Sequence, residues 1–460
     1  MGAVWTVARQ TVAESIRMRI AIFFIIVISV LVLLLPFVSK GDDTVSGAVQ
    51  SFLSYSIASV TFLLSCLTIF LSKSLSNDLT DKQILILMTK PLSRSSYVLG
   101  KWLGIVMINL MILSTAGLVI YGMTMYLSTR TPRDDWDKER LENQILTARH
   151  SSRFMVPDFT AEANAQYERN LELGQYQHTA IEPEAEKERL RTDIERRWRS
   201  VWPLESRVFE FEDVRSALGG DDMVHVQYQH RVYNYPPDEI IRCMWYFGDP
   251  RKDVKQYEVP RRDVRGRRHT IPVPADAVAD DATMAAVFYN ANPFEGEGQF
   301  LNTVIFEGDD AVEVLFSVSG FGSNMVRALG LVFCRLTFLA AMAILAATLF
   351  SYPVACLVTF TVYILATLRA FMGDAFGWMS NESDVVGWIS RGFQYFLDAF
   401  YFVMPDFSKT NALPLLVDGR NVTLKWLLVG FGTLVLIQTS IALLAACLIF
   451  QRREVSETSV

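Results

Sequence analysis

Six long runs of apolar residues constrain this chain more than any other feature. Each is close to the length of about 20 residues that a helix needs to cross a bilayer. Only the fourth carries a charge, Arg335, in its interior. A soluble protein can bury one such helix, whereas six predict an α-helical polytopic membrane protein with six transmembrane helices. The runs are Ala21–Val38, Ser51–Ser72, Leu103–Leu127, Ala328–Phe350, Tyr352–Leu368 and Leu424–Phe450.

Charge is distributed unevenly along the 460 residues. Residues 129–325 hold 25 basic and 36 acidic side chains, whereas the remainder holds 18 basic and 13 acidic ones. The hydrophobic fraction of 51% excludes disorder throughout. The sequence therefore predicts an acidic domain inserted in an apolar, mildly basic frame, which is unlike an ordinary cytosolic enzyme.

Basic residues cluster before the first run, between the second and third runs, and after the last run. Cytoplasmic segments of membrane proteins are enriched in such residues. Both termini are therefore predicted to be cytoplasmic, with 129–325 and 369–423 on the extracytoplasmic side. The first run exceeds the apolar length of a signal peptide, so an uncleaved helix is favoured over a cleaved one, and the orientation is the same in both cases. The basic residues are Arg9, Arg17 and Arg19, then Lys73, Lys82, Lys90, Arg94 and Lys101, and finally Arg452 and Arg453.

A short amphipathic segment precedes the first run. Trp5, Ala8, Val12 and Ile16 recur at helical spacing on one side. This spacing predicts a helix that lies on the inner membrane surface. The alternative is a polar start to the first spanning helix.

The loop between the second and third runs carries a recognisable sequence. It reads Asp-Leu-Thr-Asp-Lys-Gln-Ile-Leu-Ile-Leu-Met-Thr-Lys-Pro-Leu-Ser-Arg over 78–94, and Leu-Gly-Lys-Trp-Leu-Gly follows at 99–104. With the surface helix and the paired spans, this loop resembles that of the permease subunits of type-2 ABC transporters. The resemblance covers roughly 1–128 and 326–460.

The resemblance implies that the loop 73–101 holds a coupling helix seated in a groove of an ABC ATPase subunit. It also implies a second permease subunit, as a homo- or heterodimer, in the lipid of the bacterial inner membrane. The expected function is movement of a substrate across that membrane, with export as the expected direction. The residues implied to form or flank the ATPase contact are Asp78, Asp81, Lys82, Lys90, Pro91, Arg94 and Lys101.

The sequence lacks a nucleotide-binding loop of its own. A P-loop needs a glycine-rich stretch before Gly-Lys-Ser/Thr, but the single Gly-Lys pair, Gly100-Lys101, is followed by Trp102. ATP is therefore expected on the partner chain, and this chain is expected to be neither an enzyme nor a holder of a cofactor. The alternatives are a non-transporting ABC complex that passes ATPase strokes to envelope partners, and a membrane-anchored binding protein.

Two polar features stand out in the second membrane half, 326–460. The segment 383–404 is aromatic but contains Arg391 and Asp398, which predicts a re-entrant or interfacial element. Arg335 is either a functional charge within a span or a residue at the membrane interface. The sequence leaves both interpretations open.

The insert has two parts with different periodicity. Residues 129–203 show helical spacing at Leu141, Ile145 and Ala148 and are predicted to form a helical stalk. Residues 204–325 alternate with a period of two, as at Val224, Val226 and Tyr228, and are predicted to form a β-sandwich. The inserted domain is therefore of the α+β class.

No catalytic or metal-binding motif emerges from the insert. All five histidines of the chain lie there, but no spacing typical of a metalloprotease or hydrolase is present. The lone Cys243 cannot form a disulfide within the insert. The basic stretch 261–268 is a solvated loop or a contact for anionic lipid, and nucleic acid is excluded by the predicted location. Recognition of a substrate or an envelope partner is the expected role.

Overall fold

The computed structural model describes residues 2–17, 19–38, 43–80, 93–174, 183–214, 223–232, 240–292, 302–379, 395 and 405–452. The chain forms two compact units, Arg149–Val318 and the remainder, Met1–Ala148 with Ser319–Val460. Four predicted contact residues, Asp81, Lys82, Lys90 and Pro91, lie outside the described residues. The same holds for the predicted re-entrant segment 383–403, apart from Tyr395, and for Met404.

The first unit is helical, and its long apolar helices confirm the six runs predicted from the sequence. This unit also contains a helix over the N-terminal segment and a short helix directly after the second long apolar helix. The helices are α1 Gly2–Arg17, α2 Ile20–Val38, α3 Val45–Leu71, α4 Lys73–Thr80, α5 Arg94–Ser128, α6 Asp135–Arg140, α9 Phe321–Leu349, α10 Tyr352–Met379, α11 Leu413–Val417 and α12 Leu424–Arg452, with a π-helical stretch at Phe431–Thr439.

Helices α3, α5 and α9 occupy the centre of this unit. In the most apolar stretch of α9, 72% of the residues are buried, against 28% in α2. The core includes Phe52 and Leu64 of α3, Ile120 of α5 and Leu331 of α9. Large apolar side chains remain exposed around this core, which is the pattern expected of helices that face lipid.

The start of α3 is capped by a carboxylate from a distant part of the chain. The Asp137 side chain in α6 accepts hydrogen bonds from the backbone N–H groups of Val45 and Ser46, both at 2.9 Å. It also accepts one from the N–H of Arg133 at 3.1 Å. These bonds satisfy donors that a helix start leaves without partners. Burial alone would raise the pKa of Asp137, but the bonds from Ser46, Arg133 and Val45 outweigh it and lower the pKa to about 2.

The second unit is rich in sheet, as predicted, and its described residues form three antiparallel sheets. Their strand orders are β1-β11-β4-β8, β3-β9-β6-β7 and β2-β10-β5. Two further helices, α7 Thr160–Glu172 and α8 Pro183–Trp198, belong to the same unit. The strands are β1 Thr147–Arg153, β2 Ser200–Val201, β3 Ser206–Phe211, β4 Met223–Gln229, β5 Arg231–Val232, β6 Ile240–Phe247, β7 Tyr257–Val264, β8 Arg268–Pro274, β9 Met284–Asn290, β10 Val304–Ile305 and β11 Val312–Gly320.

The two four-stranded sheets share an aromatic core. Tyr228 of β4 and Trp245 of β6 have ring centroids 4.7 Å apart, and Phe288 lies 5.1 Å from Trp245. The alternating residues Val224, Val226 and Tyr228, from which a strand was predicted, lie in the same interior as Trp245 and Phe288.

The helical interpretation of residues 141–148 is wrong at its end. Helix α6 finishes in a π-helical turn, Leu141–Ile145, and Ala148 lies in strand β1. The partner of β1 is β11, which is far away in sequence. A hydrogen-bonded neighbour of this kind overrides the local spacing, so the sheet-rich unit includes strands that precede residue 204.

Candidate functional site

The N-terminal helix α1 contacts the first turns of α5 at very short range. A Cβ atom at Gly100 would lie 2.5 Å from Cβ of Val7, and one at Gly104 would lie 2.6 Å from Cβ of Thr11. The two glycines are four residues apart and form one surface of the helix. Small residues at this spacing allow helix backbones to approach closely. The sequence Gly-Lys-Trp-Leu-Gly over 100–104 therefore builds a docking surface for α1.

The predicted apolar face of α1 coincides only in part with the face that contacts the bundle. Ala8 is buried and Val12 packs against the core, but Trp5 and Ile16 are 56% and 53% exposed. Val7, Thr11 and Ser15, which the prediction did not include, are buried as well. An exposed apolar stripe on α1 is consistent with a helix that rests on lipid.

Lys101 lies at the centre of a buried polar cluster. Its Nζ is 2.9 Å from Glu14 Oε2 in α1 and 2.7 Å from Asp78 Oδ2 in α4. The same ammonium group donates to Ser74 Oγ, and Ser74 Oγ donates to Glu14 Oε2 at 2.7 Å. The Tyr97 hydroxyl donates to Asp78. Lys101 therefore connects α1, α4 and α5.

The cluster leaves no part of the Lys101 ammonium group available for another contact. The side chain is 3% exposed, and its three N–H groups match three acceptors. One positive charge faces two carboxylates, so the cluster carries a formal excess of one negative charge. A buried charge is costly unless it is paired and hydrogen-bonded, so this arrangement depends on all of its members.

Arg94 links the beginning of α5 to the end of α12. Its Nη1 donates to the carbonyl oxygens of Phe450 at 3.2 Å and Gln451 at 2.9 Å. The rings of Tyr97 and Phe450 stack with centroids 6.2 Å apart. A cation at a helix C-terminus satisfies the last carbonyl groups and complements the helix dipole.

Of the residues that the resemblance implies for the ATPase contact, the structure brings Asp78 and Lys101 together and places Arg94 one helical turn before Tyr97. Asp78 and Lys101 are buried, so in this structure their side chains hold helices together. Sequence analysis missed Glu14, Ser74 and Tyr97. The pair of glycines around Lys101 was the signal that α1 docks here.

Arg335 lies in the middle of α9, which begins at Phe321. Its Nε donates to Thr410 Oγ1 at 3.0 Å and its Nη2 to the carbonyl oxygen of Phe407 at 2.6 Å. The side chain borders a cavity of about 140 Å³ that Thr61, Ser65 and Tyr363 also line. Arg335 therefore holds the segment after residue 404 against the helix.

Within the described ranges, no group of three or more His, Cys, Asp or Glu side chains is placed to hold a metal ion. The chemistry of the site consists of one ammonium group, two carboxylates and hydroxyl groups that tie three helices together. Comparison with known proteins finds no matching family model, no matching curated protein and no matching solved structure.

Proposed function

We propose that this chain is the membrane-spanning permease subunit of an ATP-driven transporter of the type-2 ABC class. A separate ABC ATPase binds and hydrolyses ATP, and a second permease subunit completes the pathway. The proposal is supported by the resemblance in the loop 78–94 and by six helices long and apolar enough to cross a membrane.

The single observation that carries the proposal is the Lys101 cluster. The loop 81–92 connects α4 to α5, and Lys101 ties both of these helices to α1. In this proposal, a partner that displaces the loop also displaces α1, α4 and α5 together. Arg94 transmits the displacement to the end of α12. This gives a physical route from a partner ATPase to the spanning helices.

The direct contact with the ATPase is assigned to the loop itself. Asp81, Lys82, Lys90 and Pro91 form this contact in the proposal. Asp78 and Lys101 flank it, because their side chains are buried in the cluster.

We place both termini in the cytoplasm of a bacterium and the sheet-rich unit on the other side of the inner membrane. The support is the concentration of basic residues at the termini and in 73–101. Labelling of intact cells with a membrane-impermeant maleimide tests this. Ser206→Cys should react from outside and Ser93→Cys only after lysis, and the reverse pattern would refute the orientation.

Affinity purification from native membranes tests the partner. An ABC ATPase should be recovered in a stoichiometric complex with the wild-type chain. Reversal of two loop charges, Asp81→Lys with Lys82→Glu, should reduce this recovery. The matched control reverses an exposed pair in α8, Asp193→Lys with Arg196→Glu, and should leave recovery unchanged. Equal recovery of the ATPase with the loop variant and the control would count against the assigned contact.

A further inference from the structure

A cleft in the sheet-rich unit is lined by arginines from three different elements. It has a volume of about 690 Å³ and lies where α7, α8 and β3 meet. Arg169 comes from α7, Arg197 from α8 and Arg207 from β3. Trp198 and Phe159, with ring centroids 6.0 Å apart, add an aromatic wall.

The lining of this cleft holds three arginines against one glutamate. Within the described ranges, none of the three arginines lies within ion-pair distance of a carboxylate, and Glu162 is the acidic side chain in the lining. Neighbouring arginines do find carboxylates: Arg191 of α8 pairs with Glu188, and Arg199, which directly follows α8, lies 2.8 Å from Glu195. A cationic cleft within an acidic domain is a feature that folding alone does not require.

Arg207 also has a nitrogen without a partner. Its Nε is buried and makes no hydrogen bond within the part of the chain that the structure describes. Its Nη2 donates to the carbonyl oxygen of Ser200 at 3.3 Å, and the guanidinium carbon lies 5.6 Å from the centre of the Trp198 ring. Burial lowers the pKa of Arg207, and only the charge of Glu205 acts in the opposite direction. A buried donor without an acceptor is destabilising, so the guanidinium group of Arg207 is held beside the cleft at a cost in stability.

We propose that this cleft binds the phosphate group of a small molecule that also carries a flat apolar part. Guanidinium groups bind phosphate oxygens in pairs of parallel hydrogen bonds. The aromatic wall of Trp198 and Phe159 accommodates the apolar part beside the cations. This binding site goes beyond the proposed coupling to an ATPase and does not depend on it.

The test uses the full-length chain in detergent and 1-naphthyl phosphate as the probe, followed by isothermal titration calorimetry. Saturable binding at one site per chain is expected, with no binding of 1-naphthol. Arg169→Gln and Arg197→Gln should each weaken binding about tenfold or more, because a hydrogen bond to a charged group is lost. Both side chains are exposed, so these variants should fold normally.

The matched control is Arg196→Gln. Arg196 neighbours Arg197 on the same helix but pairs with Asp193 at 3.9 Å and does not line the cleft. It should bind the probe as the wild type does. Absence of saturable binding, equal binding of 1-naphthol, or equal affinities for the Arg197→Gln and Arg196→Gln variants would overturn the proposal.

Competition identifies the source of the phosphate group. Displacement of the probe by glycerol 3-phosphate supports a soluble phosphate ester as the ligand. Displacement by vesicles of phosphatidylglycerol, but not by the soluble ester, supports a lipid headgroup. Failure of both to displace the probe would contradict recognition through the phosphate group.

Discussion

Lys101 and Glu14 form an ion pair of 2.9 Å although they are 87 positions apart in the sequence. The pair fixes the N-terminal helix α1 to the helix that follows the loop 81–92. Since Asp78 shares the same ammonium group, one side chain determines the relative position of three helices. The predictions below test this cluster, the helix contacts around it and the stability of the sheet-rich unit.

Replacement of Lys101 should be the most damaging single change in the cluster. Lys101→Met leaves the buried Asp78 and the part-buried Glu14 without a cation and is expected to destabilise the helical unit by about 3 kcal/mol. Asp78→Asn should destabilise the helical unit less, because it leaves one ammonium group paired with one carboxylate. Thermal unfolding of the purified protein in detergent measures both, with Lys138→Met as an exposed control. A larger loss for Asp78→Asn than for Lys101→Met would contradict the charge balance assigned to the cluster.

The close contact between α1 and α5 should not tolerate a methyl group at Gly104. Gly104→Ala would place Cβ 2.6 Å from Cβ of Thr11 and 2.9 Å from the carbonyl oxygen of Ala8, at an expected cost of about 2 kcal/mol. The rate of maleimide labelling at Ser15→Cys, a buried position of α1, should therefore rise. Gly122→Ala is the control, since no atom lies within 4 Å of its added Cβ. Equal labelling rates in the two variants would show that α1 does not dock through Gly104.

The cap at the start of α3 predicts a change that depends on pH. The pKa of Asp137 is lowered to about 2, so its stabilising effect is complete above the ordinary value of about 4 and is lost as the pH falls towards 2. At neutral pH, Asp137→Asn should lower the free energy of unfolding by about 2 kcal/mol, because charge-assisted bonds from three backbone N–H groups are weakened.

Hydrogen exchange of the amides of Val45 and Ser46 provides the measurement for this cap. Exchange should speed up in Asp137→Asn and stay unchanged in the control Asp135→Asn, an exposed neighbour in α6. Unchanged protection of both amides in Asp137→Asn would rule out the cap.

His230 should make the sheet-rich unit sensitive to acid. Its ring is fully buried, and within the described ranges neither ring nitrogen has a hydrogen-bond partner. Burial is the main cause that lowers the pKa of His230 to about 4; the charge of Asp263 opposes this shift, and His269 adds to it. The folded state therefore takes up the proton at lower pH than the unfolded state, whose pKa is near 6.5. Stability should fall by about 3 kcal/mol as the pH drops from 6.5 to 4.

Thermal unfolding of the full chain at pH 7 and pH 5 tests this sensitivity. His230→Phe should reduce the difference between the two melting temperatures, because it removes the group that titrates. His150→Phe, a half-buried histidine beside Phe316, should keep the wild-type difference. A His230→Phe variant with the full wild-type difference would show that another group is responsible.

The six helices long and apolar enough to cross a membrane could be predicted because apolar length alone determines them, and Arg335 was too isolated to interrupt its helix. The strand around Val224 was predicted for a similar reason, since alternation is a local signal. Strand β1 could not be predicted, because its partner β11 is distant in sequence.

The candidate site was found only in part for the same physical reason. Lys101 stood within a recognisable loop sequence, but the identity of its partner Glu14 depends on how α1 packs. The apolar stripe from Trp5 to Ile16 matched the docked face of α1 only at Ala8 and Val12, because hydrophobic spacing does not indicate where small residues meet glycines. The spacing of Gly100 and Gly104 carried that information.

In the proposed function, an ATPase acts on this chain through the loop 81–92 and the Lys101 cluster. The ATP hydrolysis rate of the complex reconstituted in liposomes tests this action, with each variant compared at equal ATPase recovery. The wild-type chain should change the hydrolysis rate of the free ATPase subunit. The Lys101→Met chain should change that rate far less, and the Lys138→Met chain should change it as much as the wild type does. If the Lys101→Met chain changes the rate as much as the wild type, the Lys101 cluster does not transmit the action of the ATPase.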